Sequence, residues 1–174
     1  MSSFMEVATR IVVSEPASSH VLPALLRKMR GAKEAGAEEA RVWGTGSVRR
    51  GFLHADDVAD ACVFLMNLPD TAFGPIAHGE SDPSPVNVGR GEDLTLRELA
   101  ELIREVMGFA GRWTFDASTP DGTPGKPLDV SRIKAFGWQA GIPLRGGLAA
   151  VCREYSAIQA ATQEQPIDAA RVVP

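Results

Sequence analysis

Val42-Trp43-Gly44-Thr45-Gly46-Ser47-Val48-Arg49-Arg50-Gly51-Phe52-Leu53-His54-Ala55-Asp56-Asp57 is the stretch whose reading decides the fold. Arg41 to Trp43 reads as a short strand entering a two-glycine turn, and Phe52 to His54 as a second extended piece. Asp56 or Asp57 then stands where a helix N-cap belongs, ahead of Val58, Ala61, Cys62, Leu65 and Met66 on one helical face. The same span carries chemistry. An indole, glycines that let backbone approach closely, and two adjacent guanidinium groups suit a ligand with a flat base and a diphosphate. Each part keeps a plainer alternative. Trp43-Gly44-Thr45-Gly46 also fits a hairpin with a core tryptophan, and Arg49-Arg50 also fits a solvated surface pair.

Outward from this stretch, helices and short strands alternate. His20 to Ala35 predicts a helix with an apolar stripe of Val21, Leu22, Leu25, Leu26 and Met29, Pro23 in its first turn and Gly36 as its stop. Residues 69–85, rich in proline, read as a long loop. Val86-Asn87-Val88 reads as a strand and Gly89-Arg90-Gly91 as a tight strand-to-helix turn. The dinucleotide fingerprint would need a third glycine where Leu94 stands. Thr95-Leu96-Arg97-Glu98 is a capping box opening a helix that buries Leu99, Leu102, Ile103 and Val106 and ends at Gly108. Trp113-Thr114-Phe115 predicts a strand, Asp129 to Gly137 a short helix, and Leu144 to Gln159 the last helix. Between them, Asp121, Lys126 and Asp129 bracket a Pro/Gly-rich segment. It reads equally as a surface crossing and as a clamp for a ligand hydroxyl and phosphate.

The bulk numbers bound the rest. A chain of 174 residues with 44% hydrophobic and 6% aromatic content has the makings of one Ala/Val/Leu/Ile core. A net charge of -4 argues against a nucleic-acid partner. Cys62 and Cys152 read as reduced, buried thiols, and no metal-ligand spacing occurs. No long apolar run marks a membrane span or a signal peptide, so the expectation is a soluble cytoplasmic protein. Tyr155, the single tyrosine, has no lysine four places on and is read as part of the last helix rather than as a catalytic pair. Asp56-Asp57 is read as a cap rather than an acid/base pair, His54 as structural and His20 as a solvated residue at a helix start.

In combination these segments resemble the GDP-L-fucose synthases, NADPH-dependent epimerase/reductases of the extended short-chain dehydrogenase family. Ser19 to Lys28, Val42 to Gly46, Arg50 to Asp57, Asn87 to Gly89, Asp116 to Pro124, Lys126, Leu128 to Arg132 and Gly137-Trp138 carry the likeness in order. Together they span roughly residues 18–155, and Pro120-Asp121-Gly122-Thr123-Pro124 is the most specific run. The resemblance implies conversion of GDP-4-keto-6-deoxy-mannose to GDP-L-fucose, by epimerisation at C3 and C5 and hydride reduction at C4. It implies that His20 takes part in acid/base catalysis and touches the NADP cofactor. It implies that Lys28, Trp43 and Arg50 hold the GDP-sugar, and that Asp121 and Lys126 belong to the loop closing over it.

The chain departs from that pattern in ways that matter. The glycine-rich cofactor fingerprint and the Tyr-xxx-Lys pair are missing, Val12 to Ala17 replace the loop before His20, Gly51 stands for a glutamate, Val48 for a proline and Gly125 for a basic residue. The expectation is an α/β chain: a C-terminal substrate-binding lobe plus the last elements of a truncated Rossmann-type doubly wound sheet. An atypical segment would occupy residues 1–19, the substrate-binding portion 20–160 and a frayed tail 161–174. Such a chain binds a GDP-sugar but is inactive alone. The alternative is a non-catalytic nucleotide-sugar module, or the partner of a separate Rossmann half; a homo-oligomer also stays open.

Overall fold

A computed structural model describes residues 7–8, 21–77, 86–122, 125 and 128–164. The elements run β1 (Val7–Ala8), α1 (Val21–Glu34), β2 (Glu39–Trp43), β3 (Arg49–Arg50), β4 (Leu53–His54), α2 (Ala55–Met66), α3 (Asp70–Ala77), β5 (Leu94–Thr95), α4 (Leu96–Met107), β6 (Arg112–Asp116), α5 (Ser131–Ala135) and α6 (Leu144–Glu164). Among the described residues the strands form three pairs: β1 with β4 and β2 with β6 in parallel, β3 with β5 antiparallel. Parallel pairs separated by helices are the signature of an α/β fold.

The β2–β6 pair is the frame of the molecule. Its register runs from Glu39 opposite Arg112 to Trp43 opposite Asp116. Period-two alternation turns Ala40 and Val42 inward and leaves Glu39, Arg41 and Trp43 outside. Three helices close over the inner face. Leu22, Leu25, Leu26 and Met29 of α1, Leu99, Ala100 and Ile103 of α4, and Leu148, Cys152 and Tyr155 of α6 form one buried cluster with Phe52, Phe109 and Trp113. Each fully buried Leu or Ile contributes about 1.5–3 kcal/mol. Trp113 can sit inside because its indole N–H donates to the Ala100 carbonyl at 2.6 Å.

Helix ends follow from identifiable residues. The Thr95–Glu98 capping box is formed in both directions, and Gly108 closes α4 with φ 60°. Lys33 at the end of α1 donates to the Met107 carbonyl at 2.7 Å, so α1 helps finish α4.

A second cluster of Leu53, Ala61, Val130, Ile133 and Trp138 lies under α2 and α5. Two aspartates of α2 staple the following segment to it. Asp57, buried, accepts the N–H groups of Gly141 at 3.0 Å and Ile142 at 3.2 Å, and Asp60 accepts the Trp138 indole N–H at 2.7 Å.

Several expectations are corrected. The N-cap of α2 is His54, whose Nδ1 accepts the Asp56 N–H at 3.2 Å; Asp57 is drawn inward instead to the 141–142 backbone. Cys62 and Met66 are exposed rather than core, because the buried edge of α2 runs through Asp57 and Ala61. Residues 69–85 contain the helix α3, initiated where the Pro69 carbonyl accepts the Ala72 N–H at 2.8 Å. Val86 to Val88 is irregular rather than a strand: Val86 and Val88 pack on the second cluster, and Asn87 reaches the Asp129 carbonyl with its side chain. The last helix continues through Thr162 to Glu164, so the part of the expected frayed tail that is described is helical; residues 165–174 lie outside the described residues.

Candidate functional site

The site forms where β2 and β6 end. Trp43 is the last residue of β2, and the Gly44 N–H continues the ladder to the Asp116 carbonyl at 3.0 Å. Beyond that bond the chain turns through Gly44-Thr45-Gly46. Both glycines have positive φ, 85° and 73°. The space around them explains the residue type more fully than the dihedral does. A Cβ on Gly44 would collide with Asp121 Oδ1, and one on Gly46 would stand 2.5 Å from the Phe115 ring. The turn is thus pressed against two different parts of the β6 side.

Between the two glycines, Thr45 offers both its donors to Asp121. Its N–H donates to Oδ1 at 2.8 Å and its hydroxyl to Oδ2 at 2.6 Å. Thr45 Oγ1 lies 2.8 Å from Ser47 Oγ and accepts the Ser47 N–H at 3.2 Å. These bonds, the Thr45 hydroxyl first, hold the Asp121 carboxyl below its ordinary pKa. The other side of the turn is tied down by α4. Arg97 donates to the Thr45 carbonyl at 2.7 Å, and its guanidinium lies over the Phe115 ring at 4.0 Å.

Two cations flank this turn. Lys28, from α1, places its ammonium 4.5 Å from the centroid of the Trp43 ring. Burial, followed by the neighbouring Arg27 cation, lowers the Lys28 pKa from its ordinary value. Trp43 nevertheless remains 69% exposed, an unusual position for the largest apolar side chain. Arg50, in β3, donates from Nη1 to the Arg49 carbonyl at 2.9 Å. Its guanidinium lies against the segment that follows Asp121: an ideal Cβ on Gly122 would be 3.7 Å from Nη2, and one on Gly125 would be 3.1 Å from Nη1 and would collide with the Arg49 carbonyl. Arg49 points elsewhere, to the Asp93 carboxylate at 2.8 Å and the Asp93 carbonyl at 2.8 Å.

The structure places Lys28 on Trp43 just before the Gly44-Thr45-Gly46 turn, Asp121 on Thr45 inside that turn, and the Arg50 guanidinium near Gly122, the residue after Asp121. It assigns Asp129 elsewhere, to the start of α5, where it accepts the Ser131 N–H at 2.9 Å. His20 and Lys126 lie outside the described residues. Thr45, Ser47 and Arg97 belong to the site although sequence reasoning did not single them out. The available signal was a hydroxyl residue between two glycines, directly after an exposed tryptophan.

The Gly89-Arg90-Gly91 turn is occupied by packing. A Cβ on Gly91 would stand 2.7 Å from the Val130 side chain and 3.1 Å from Lys134 Nζ, and Arg90 is engaged with the Ile142 carbonyl. These residues do not fit a dinucleotide, whose pyrophosphate needs open backbone N–H groups at a helix start. Among the described residues no group of three or more His, Cys, Asp and Glu side chains is placed to hold a metal, and no helix is long and apolar enough to cross a membrane.

Comparison with known proteins shows what the chain is similar to. Residues 9–89 match the sequence model of the NAD dependent epimerase/dehydratase family. The chain is 50% identical over 133 residues to GDP-L-fucose synthase 1 of Arabidopsis thaliana, covering 76% of this chain and 38% of that protein. It is 46% identical over 134 residues to the GDP-L-fucose synthase of Escherichia coli strain K12, covering 77% and 41%. Among solved structures it resembles MlghC, a GDP-mannoheptose C4 reductase from Campylobacter jejuni with NADP bound, with a TM-score of 0.64, 31% identity, and 81% and 46% of the two chains covered. The chain thus spans about two-fifths of the length of the curated relatives it matches.

Proposed function

From the match of residues 9–89 to the NAD dependent epimerase/dehydratase family and the homology to part of the GDP-L-fucose synthases, we propose that the chain forms the GDP-sugar-binding portion of such an enzyme. The observation that supports the proposal is the gathering of Lys28, Trp43, Asp121 and Arg50 around one two-glycine turn, at the carboxyl ends of two parallel strands. Ligands of open α/β sheets bind outside those ends.

Each residue has a role set by its chemistry. The Trp43 indole offers a face to the guanine or the sugar, worth about 1–3 kcal/mol where a base stacks on an aromatic ring. Lys28 sits over that indole as a cation and so lies close to where a diphosphate would run. Arg50 reads phosphate oxygens through its planar fork. Asp121, held by Thr45, fixes the chain beside the turn, and Lys126 is assigned to the GDP-sugar by the family resemblance alone.

Catalysis by the whole enzyme, with epimerisation at C3 and C5 and NADPH-driven reduction at C4, needs the cofactor site that the residues described above do not form. His20 supplies acid/base chemistry and cofactor contact when that site is complete. This chain by itself turns nothing over. Binding and turnover are separable in one set of measurements. Calorimetry with GDP and GDP-mannose is expected to give saturable heat that Arg50→Ala lowers by at least tenfold in affinity, about 1.4 kcal/mol. A folded chain that gives no heat with either ligand refutes the binding role. Oxidation of NADPH by the purified chain in the presence of GDP-4-keto-6-deoxy-mannose refutes the claim that it is inactive alone.

A further inference from the structure

Thr45 makes no contact with Lys28, Trp43 or Arg50 among the bonds described, yet it stands at the centre of the turn that joins them. We infer that Thr45 is a positioning residue of the GDP-sugar site: its N–H and hydroxyl together fix Asp121, and through Asp121 the adjoining Gly122 beside the Arg50 guanidinium. The inference rests on the reading of the site as a GDP-sugar site.

Three independent observations carry it. Both Asp121 carboxylate oxygens are taken by Thr45, at 2.8 and 2.6 Å. The carboxylate meets two donors of one residue at once, a geometry that fixes its orientation as well as its distance. Next, the flanking glycines leave no space for slack. A Cβ on Gly44 would collide with Asp121, and one on Gly46 would press on Phe115, so the Thr45 backbone is held between two surfaces. Finally, the Thr45 carbonyl is anchored from the opposite side by Arg97, itself stacked on Phe115, and the Arg97 N–H donates to the Gly46 carbonyl at 3.0 Å. Thr45 is therefore the junction between α4, the β6 ring face and the segment leading from Asp121.

The consequence is geometric. Indole and guanidinium come from one strand–turn–strand unit, whose two arms are separated by the turn that Thr45 locks. A base and a diphosphate are joined by a ribose of fixed length, so small displacements between the two grips reduce affinity steeply. Releasing Asp121 frees Asp121 and Gly122 on one side of the site while leaving the Trp43 and Arg50 side chains intact.

The test uses the full chain, GDP as probe, and the variants Thr45→Val and Thr45→Ser. Thr45→Val keeps the shape and removes the hydroxyl; Thr45→Ser restores it. Thr45→Val is expected to weaken GDP binding roughly tenfold, the scale of one lost bond to a charged group, with Thr45→Ser within about twofold of the parent. A merely structural role would lower the thermal midpoint without this hydroxyl-dependent pattern, so the melting temperature of each variant is read alongside. Amide hydrogen exchange supplies a readout that needs no ligand. The residue 45 N–H, bonded to Asp121 Oδ1, is expected to exchange faster in Thr45→Val than in the parent and in Thr45→Ser. GDP affinity within twofold of the parent in Thr45→Val, or failure of Thr45→Ser to restore it, overturns the inference while the site reading stands. If the parent chain itself gives no heat with GDP, the site reading falls, and unchanged exchange at residue 45 then overturns the latch as well.

Discussion

Replacing Asp57 by alanine tests the staple between α2 and the 138–142 segment. The carboxylate is buried and accepts two backbone N–H groups, from Gly141 and Ile142. Deleting it leaves both donors without their partner. An unsatisfied buried donor costs about 1–3 kcal/mol, so the pair sets a range of about 2–6 kcal/mol. Water entering the vacated space satisfies part of this loss, which puts the expected value at about 3 kcal/mol. That is a large fraction of the roughly 5–15 kcal/mol that holds a domain together. With a urea m-value of about 2 kcal/mol/M, the denaturation midpoint falls by about 1.5 M. Asp57→Asn keeps one acceptor oxygen and is expected to lose about half as much. The assay is equilibrium urea unfolding followed by circular dichroism. Asp57→Ala within about 0.5 kcal/mol of the parent, a change typical of featureless surface positions, refutes the reasoning. So does Asp57→Asn as damaging as Asp57→Ala, because the acceptor count would then be irrelevant.

The two thiols are expected to react at very different rates. Cys62 is exposed, whereas burial pushes the Cys152 thiol up to about 11; a disulfide reagent at pH 8 is expected to titrate one thiol quickly and the second only on unfolding, and Cys62→Ser removes the fast phase. Acid is expected to loosen the site. The folded-state pKa of Asp121 is held low by the Thr45 and Gly46 bonds, so its contribution to stability is present above the unfolded carboxylate value of about 4 and is lost as pH falls through the lower folded one. Asp121→Asn is expected to flatten the loss of stability on acidification from pH 4 to 2, and an unchanged acid slope in that variant counts against the assignment.

Much of the frame is legible in the residues themselves. The apolar stripe of α1, the Thr95–Glu98 box and the Gly108 stop each state a local rule that the fold obeys. What escapes sequence reading is long-range partnership. Asp57 looks like a cap because aspartate before a helix usually is one; only the arrival of Gly141 and Ile142, more than 80 residues later, turns it inward. His54 takes the vacated position, since a ring nitrogen serves as well as a carboxylate for one N–H. Cys62 and Met66 match a helical stripe on period alone, but α2 packs through Asp57, Val58, Ala61 and Leu65, which leaves these two on the solvent side of the stripe. In the site, Trp43 and Arg50 could be named because an indole and a guanidinium announce their chemistry. Thr45 could not, because a hydroxyl means nothing until Asp121 stands opposite it, 76 residues away.

The parallel pairing of β2 and β6 carries a consequence for how this protein can change. Both strands run the same way, so the loops that leave them emerge side by side from one rim, while Ala40, Val42 and Trp113 stay in the interior beneath. Recognition elements and load-carrying residues therefore sit at different heights of the same scaffold. New ligand preferences can be grafted by rewriting the rim loops as a matched pair, and the interior registers little of the exchange.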